Sequence, residues 1–209
     1  MLAIPAGKES APVPIIETRA RGTVRGMNTD HRSYIAILVL SAAGFVGLAV
    51  DEGYTSKAVP DPVKGTAVPT LGFGTTGGVK MGDTTTPPKA MQRTLTDVQA
   101  FEGALKRCVR VPLFQHEYDA YVNLAYNIGA GKSGVADGFC EARRGGSSTL
   151  VKRLNALDYK GACDAILDWR FVGDVDCAAP GNKSCPGLWA RRLKTHAQCL
   201  GPAAAGGAP

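Results

Sequence analysis

Glu52, Asp61 and Thr70 fall within one run, DEGYTSKAVPDPVKGTAVPTLGFGTT, covering residues 51–76. Breaking a glycosidic bond requires a proton donor for the leaving oxygen and a carboxylate that directs water to the anomeric carbon. Glu52 closes an apolar stretch, where desolvation raises a carboxyl pKa as a general acid requires. Asp61 lies between Pro60 and Pro62 in a turn-rich stretch, where solvent keeps a carboxylate ionised. Thr70 opens the L-G-F-G run, and its hydroxyl can hold a water that Asp61 orients. Thr66 is the competing threonine. Asp51 adjoins Glu52 but belongs to another helix face, so it is read as a flank.

The elements that must carry these residues can be read on either side. Residues 34–50, YIAILVLSAAGFVGLAV, hold no charge, and seven of the seventeen are Gly, Ala or Ser. That length is at the short end of the range for a membrane-spanning helix, and the small residues make insertion weakly favourable. Arg19, Arg21, Arg25 and Arg32 precede it, which predicts a cytoplasmic N-terminus and an external body. The segment is expected to be a weak, escapable anchor helix; a permanent anchor, a cleaved signal and a buried core helix are the competing readings. Residues 1–33 mix Pro, Gly and charge and predict a disordered cytoplasmic segment, with Met27 a candidate alternative start.

Residues 58–88 predict short strands and turns, punctuated by Gly72, Gly74 and Pro87-Pro88. A helix is expected from Thr94, opened by a Thr96/Gln99 capping box. Helices are expected in HEYDAYVNLAYNIG, in SSTLVKRLN with Ser148 as its cap, in YKGACDAILDW and in GLWARRLKTHAQCL. Residues 201–209, GPAAAGGAP, form a tail. The order is apolar helix, small β segment, then a helical body, which is an α+β class. Residues 51–200 make one catalytic domain.

The 209-residue chain is 44% hydrophobic and 20% charged, arguing against a largely disordered protein, and carries a net charge of +6. A basic surface suits an anionic polymer or membrane. No Lys/Arg stripe interleaves with aromatics, so nucleic acid is not an expected partner. All six cysteines (Cys108, Cys140, Cys163, Cys177, Cys185, Cys199) follow the apolar segment. None forms a C-x-x-C pair or adjoins a histidine at ligand spacing, so no metal or cofactor is expected. Six cysteines in an exported domain suggest disulfides, with fifteen possible pairings. Cys177 and Cys185, bracketing a short loop, are the first pair expected. His31, His116 and His196 are scattered and read as surface residues, and no nucleophile pairs with them. Glu102, Glu117 and Asp119 read as solvated helix faces.

Glu52-Gly53, Asp61 and Thr70-Leu-Gly-Phe-Gly74 resemble the glutamate, aspartate and threonine motif of the phage lysozymes of glycoside hydrolase family 24. The resemblance continues through GVKMGD, VRVPLFQHEYDAYVNLAYNIGAG, STLVKRLNALDYKGACDAILDW and PGLWARR, over roughly residues 50–200. It implies a lysozyme-like fold, with a small β-hairpin lobe and a larger helical lobe. It further implies inverting hydrolysis of the β-1,4 bond between N-acetylmuramic acid and N-acetylglucosamine, by a monomer needing no cofactor. Tyr126 and Asn127 would line the sugar cleft, although Tyr126 could equally be a core residue.

A weak helix directly before the glutamate resembles the signal-arrest-release endolysins of that family. This implies a tethered, inactive form on the host inner membrane and a released, active form in the periplasm, ending in host lysis. Residues 34–50 contain no cysteine, so control would run through the membrane alone. Two departures stand out. The Asp61–Thr70 spacing is nine where the family has six, which extends the hairpin turn. Leu193-Lys194-Thr195 follows Arg191-Arg192 where an acid is usual, weakening an expected helix salt bridge. A lytic transglycosylase, a membrane-lesion protein acting through the short helix, and a wall-binding module without turnover are the rival readings.

Overall fold

The computed structural model describes residues 31–61 and 65–201. The expected disordered segment lies mostly outside these residues, as does the tail beyond Gly201. The elements are α1 (Ala42–Glu52), β1 (Thr55–Asp61), β2 (Gly65–Gly72), α2 (Pro87–Cys108), α3 (Gln115–Ile128), α4 (Thr149–Asn155), α5 (Tyr159–Asp164), β3 (Phe171–Val172), β4 (Val175–Asp176) and α6 (Pro186–Leu200). Two antiparallel hairpins, β1–β2 and β3–β4, accompany the helices, so the class is α+β as expected.

Residues 34–50 do not form the continuous helix expected of them. A short 3-10 turn covers Ile35–Ile37, Leu38 is extended, and α1 starts only after Ser41. Ser41 stops and restarts the chain, because its Oγ accepts the amide of Gly44 and caps α1. The α1 helix then runs past the apolar stretch to include Asp51 and Glu52, and Gly53 ends it at φ 68°, a left-handed conformation that suits glycine. No helix among the described residues is long and apolar enough to cross a membrane. Ile35, Leu38 and Leu48 instead join the main core, while Tyr34, Ile37, Val39, Val46 and Val50 remain exposed.

The extended linker is held by acids that the sequence had suggested were solvated. Glu102, Glu117 and Asp119 are all buried. Glu102 accepts the Leu40 amide at 2.6 Å, and Asp119 accepts both the amide and hydroxyl of Ser41. Glu117 accepts two bonds from the Arg32 guanidinium, which lies over the rings of Phe114 and Tyr159. Helical periodicity puts these carboxylates at an edge of the core stripe, and only the incoming segment turns that edge into an interior.

The α2 helix also differs from expectation, starting at Pro87 rather than Thr94. Pro87 and Pro88 occupy the first turn, where a helix lacks N–H partners and a φ fixed near −65° is an asset. Thr96 is then mid-helix and donates to the Gln92 carbonyl instead of forming a cap. The α3 helix starts at Gln115 and stops at Gly129; Ser148 caps α4 as expected, and the YKGACDAILDW stretch divides into α5 and a 3-10 turn.

Tyr118, Tyr121, Leu124, Leu154 and Ile166 fill the helical core, and α3 packs chiefly on α6 and α2. A smaller cluster of Ala58, Leu71 and Val79 supports the hairpin. Three disulfides close the helical body: Cys108–Cys140, Cys163–Cys199 and the expected Cys177–Cys185. His31 is exposed, whereas His116 and His196 are half-buried; His116 stacks on Phe114 and His196 pairs with Asp164.

Candidate active site

Glu52 is delivered by the last turn of α1, and its side chain is 17% exposed. Arg191 of α6 donates to its Oε1 at 2.8 Å and to the Asp51 carbonyl at 2.9 Å, so one guanidinium clamps the end of the helix. The side chain of Asn127 on α3 acts on the carboxyl in the same sense, favouring its ionised form. From the hairpin side, the loop of the L-G-F-G run closes over the acid. A Cβ on Gly74 would stand 2.9 Å from Glu52 Oε2, and this glycine has φ 79°. Only a residue without a side chain allows so close an approach in that conformation.

Burial raises the Glu52 pKa above its ordinary value, and neighbouring Asp51 adds to the rise; Arg191, Asn127 and Arg192 oppose it. The group is therefore a carboxyl biased toward its protonated form yet held in place by the Arg191 guanidinium.

Asp61 is the last residue of β1, with its Cα opposite Gly65 at the tip of the hairpin. Thr70 stands lower on β2, opposite Val59, and is half-buried. Thr66 is exposed, beside the tip. The hairpin therefore carries Asp61 and Thr70 on paired strands that follow α1 directly, with Thr70 the threonine nearer the Gly74 loop that covers Glu52.

Tyr126 donates its hydroxyl to the Phe73 carbonyl at 2.7 Å and meets Phe101 edge-on, which ties the helical lobe to the hairpin. Burial pushes its phenol up to about 12. Asn127 turns its Oδ1 to Arg192 Nη2 at 2.5 Å. Asp51, read as a flank, accepts from Lys194 at 2.5 Å and from Asn123 at 3.3 Å. The acid missing after the Arg pair is thus offset by Lys194 facing an acid on α1. Sequence reasoning did not assign Arg191, Arg192 or Lys194 to the site. The Arg-Arg pair in PGLWARR was the available signal, but nothing local says that it faces a residue some 140 positions earlier. Among the described residues, no group of three or more His, Cys, Asp or Glu is placed to hold a metal ion.

Comparison with known proteins gives this geometry a context. The sequence matches the phage lysozyme family over residues 49–195. It is 35% identical over 150 residues to the endolysin of Salmonella phage P22, covering 69% of this chain and 92% of that protein. It is 35% identical over 162 residues to the SAR-endolysin of Pseudomonas phage phiKMV, covering 77% of this chain and 88% of that protein. The crystal structure of a mutant of P22 lysozyme superposes with a TM-score of 0.59 at 32% identity, over 78% of this chain and 99% of that one. A polar-lined carboxyl at a helix end, a two-stranded hairpin bearing an acid and a threonine, and a helical body closing behind them accord with these likenesses. The chain belongs to the phage lysozyme family and is a peptidoglycan-hydrolysing endolysin.

Proposed function

We propose that Glu52 protonates the leaving oxygen of the β-1,4 bond between N-acetylmuramic acid and N-acetylglucosamine, while Asp61 and Thr70 orient the attacking water. The observation that carries this division of labour is the setting of Glu52, desolvated beneath Gly74 and fixed by Arg191. Inversion at the anomeric carbon follows, because a water held by the hairpin attacks from the face opposite the acid. Tyr126 and Asn127 belong to the wall behind the acid, with Tyr126 holding the two lobes together. The enzyme is expected to sediment as a monomer.

A positioned general acid contributes about 10²–10⁴-fold in rate. Glu52→Gln should therefore lose at least about 10²-fold of its clearing of permeabilised Gram-negative cells. Mass spectrometry of the wild-type digest should show reducing muropeptide ends. Anhydro-sugar ends would move the reading to a transglycosylase.

Residues 34–50 serve, on the same reading, as an escapable membrane anchor. Their lack of charge, the apolar side chains left exposed along Tyr34–Val50, and the likeness to the phiKMV SAR-endolysin support this. Glu52 stands two residues beyond Val50, so in the tethered form it stays at the membrane boundary, away from Arg191 and the hairpin. Misplacing a reacting group forfeits several kcal/mol of barrier reduction, which silences the enzyme.

The folded state also needs Arg32 on the external side, bound to Glu117 between Phe114 and Tyr159. Charge asymmetry holds Arg32 inside while the anchor is embedded. Moving it outward against an inside-negative potential costs about 2.3 kcal/mol per 100 mV, so depolarisation favours release into the periplasm. Fractionation of expressing cells before and after depolarisation should show the protein pass from membrane to soluble fraction. Recovery wholly in the soluble fraction throughout would rule out the anchor and leave the enzymatic assignment intact.

A further inference from the structure

Two hydrogen bonds from the helical lobe grip the loop that covers Glu52, one on each side of Gly74. On one side the Tyr126 hydroxyl of α3 donates to the Phe73 carbonyl at 2.7 Å. On the other the Thr75 hydroxyl donates to Asp97 Oδ2 of α2 at 2.6 Å. The loop between them is a tight turn, closed by paired backbone bonds between Leu71 and Thr75. Both of its glycines are pressed against neighbours. A Cβ on Gly72 would meet the Ala90 Cβ of α2 at 2.9 Å, and one on Gly74 would meet Glu52 Oε2 at 2.9 Å. The turn thus lies between α2 and the acid, with bare backbone on the side of the acid.

Thr75 is 3% exposed, so its hydroxyl needs a partner that a valine of the same shape would not. A hydroxyl donating to a carboxylate makes a bond about twice as strong as one between neutral groups. We propose that Asp97 is a positioning residue of the reaction: acting through Thr75, and with Tyr126 at Phe73, it holds Gly74 against the Glu52 carboxyl and keeps water from it. This rests on the reading of Glu52 as the general acid. Burial is the largest cause raising the Glu52 pKa, so a loop that lifts lets it fall back. The charged and titratable groups facing Glu52 are Arg191 and Arg192 from α6, Asp51 from its own helix and the Tyr126 phenol from α3. Thr75→Val leaves all of them in place and changes no charge.

The test uses the purified full chain with Thr75→Val, Asp97→Ala, the two together, Tyr126→Phe and Asp97→Asn. Three readings are taken: the alkaline limb of the pH–rate profile, kcat against KM, and the Glu52 carboxyl titration by 13C NMR. Thr75→Val and Asp97→Ala should each move limb and titration to lower pH. On that limb kcat should fall about 10-fold, a share of what a positioned acid contributes, with KM within about twofold. The double variant should match the single ones, because all three lack the same bond. Tyr126→Phe should shift the limb in the same direction, from the other flank of Gly74. Asp97→Asn still offers an oxygen to the Thr75 hydroxyl and should give back most of the shift. Thr75→Val carries the same test should Asp97→Ala not fold. A limb and titration at wild-type positions in Thr75→Val, whatever its melting temperature, would reduce the bond to packing and overturn the proposal. Shifts that add in the double variant would overturn it too, since Asp97 would then act by a route other than Thr75. Full turnover by Glu52→Gln would instead remove the acid assignment, and the titration would still show whether Asp97 holds the loop on that carboxyl.

Discussion

The role proposed for Glu52 sets two opposed demands: an acid must keep its proton, and it must stay where the proton is needed. Burial meets the first and the Arg191 guanidinium meets the second, each at some expense to the other. The pH dependence follows with a definite sign. A folded pKa above the unfolded one means that Glu52 contributes stability below about pH 4.5, which is lost as pH rises through the folded value. Glu52→Gln should melt at a temperature close to wild type near pH 4 and above it by a growing margin toward pH 8, by calorimetry. Activity should fall on the alkaline side as the acid ionises. Arg191→Met should push that limb higher, because a cation that favours the ionised form is gone. These roles were legible only in part. Glu52, Asp61 and Thr70 announce themselves through local spacing, whereas Arg191 is invisible as a site residue until α6 is laid against the end of α1.

The α1 helix shows how an element's boundary can depend on residues far from it. Ser41 caps it, but Asp119 holds Ser41 and Glu102 holds Leu40, from positions 78 and 62 residues away. Ser41→Ala should cost about 1 kcal/mol of unfolding free energy, the usual value of such a cap, measured by denaturant titration. The α2 helix starts earlier than its periodicity suggests for a local reason, since a double proline reads as a break yet suits a first turn. The disulfides sort by the loops they close. Sequence separations of 36 and 8 predict that reducing Cys163–Cys199 costs about 4 kcal/mol and Cys177–Cys185 about 2.5 kcal/mol. Paired Cys→Ser variants compared by melting should show that order.

Across the whole molecule, the proposed anchor role asks residues 34–52 to satisfy two solvents with one sequence. Two glycines separate these requirements. A Cβ on Gly44 would meet Asp119 Cγ at 2.8 Å, whereas Gly47 has open space around it. Gly47→Leu should leave the purified enzyme folded and active but hold more of it in the membrane fraction, delaying lysis. Gly44→Leu should damage the fold itself and lower the melting temperature. Equal release of Gly47→Leu and wild type would count against the anchor. The sequence alone determined the hairpin and the helical body and marked out the candidate acids and the apolar segment, because spacing, turn chemistry and 3.6-residue periodicity are local properties. Tertiary structure alone decided that Glu102, Glu117 and Asp119 are buried, that the apolar segment breaks at Ser41, and that α6 supplies the cations behind Glu52. Each of these depends on a partner far away in the chain, and a carboxylate or guanidinium carries no local mark of which partner folding will bring to it.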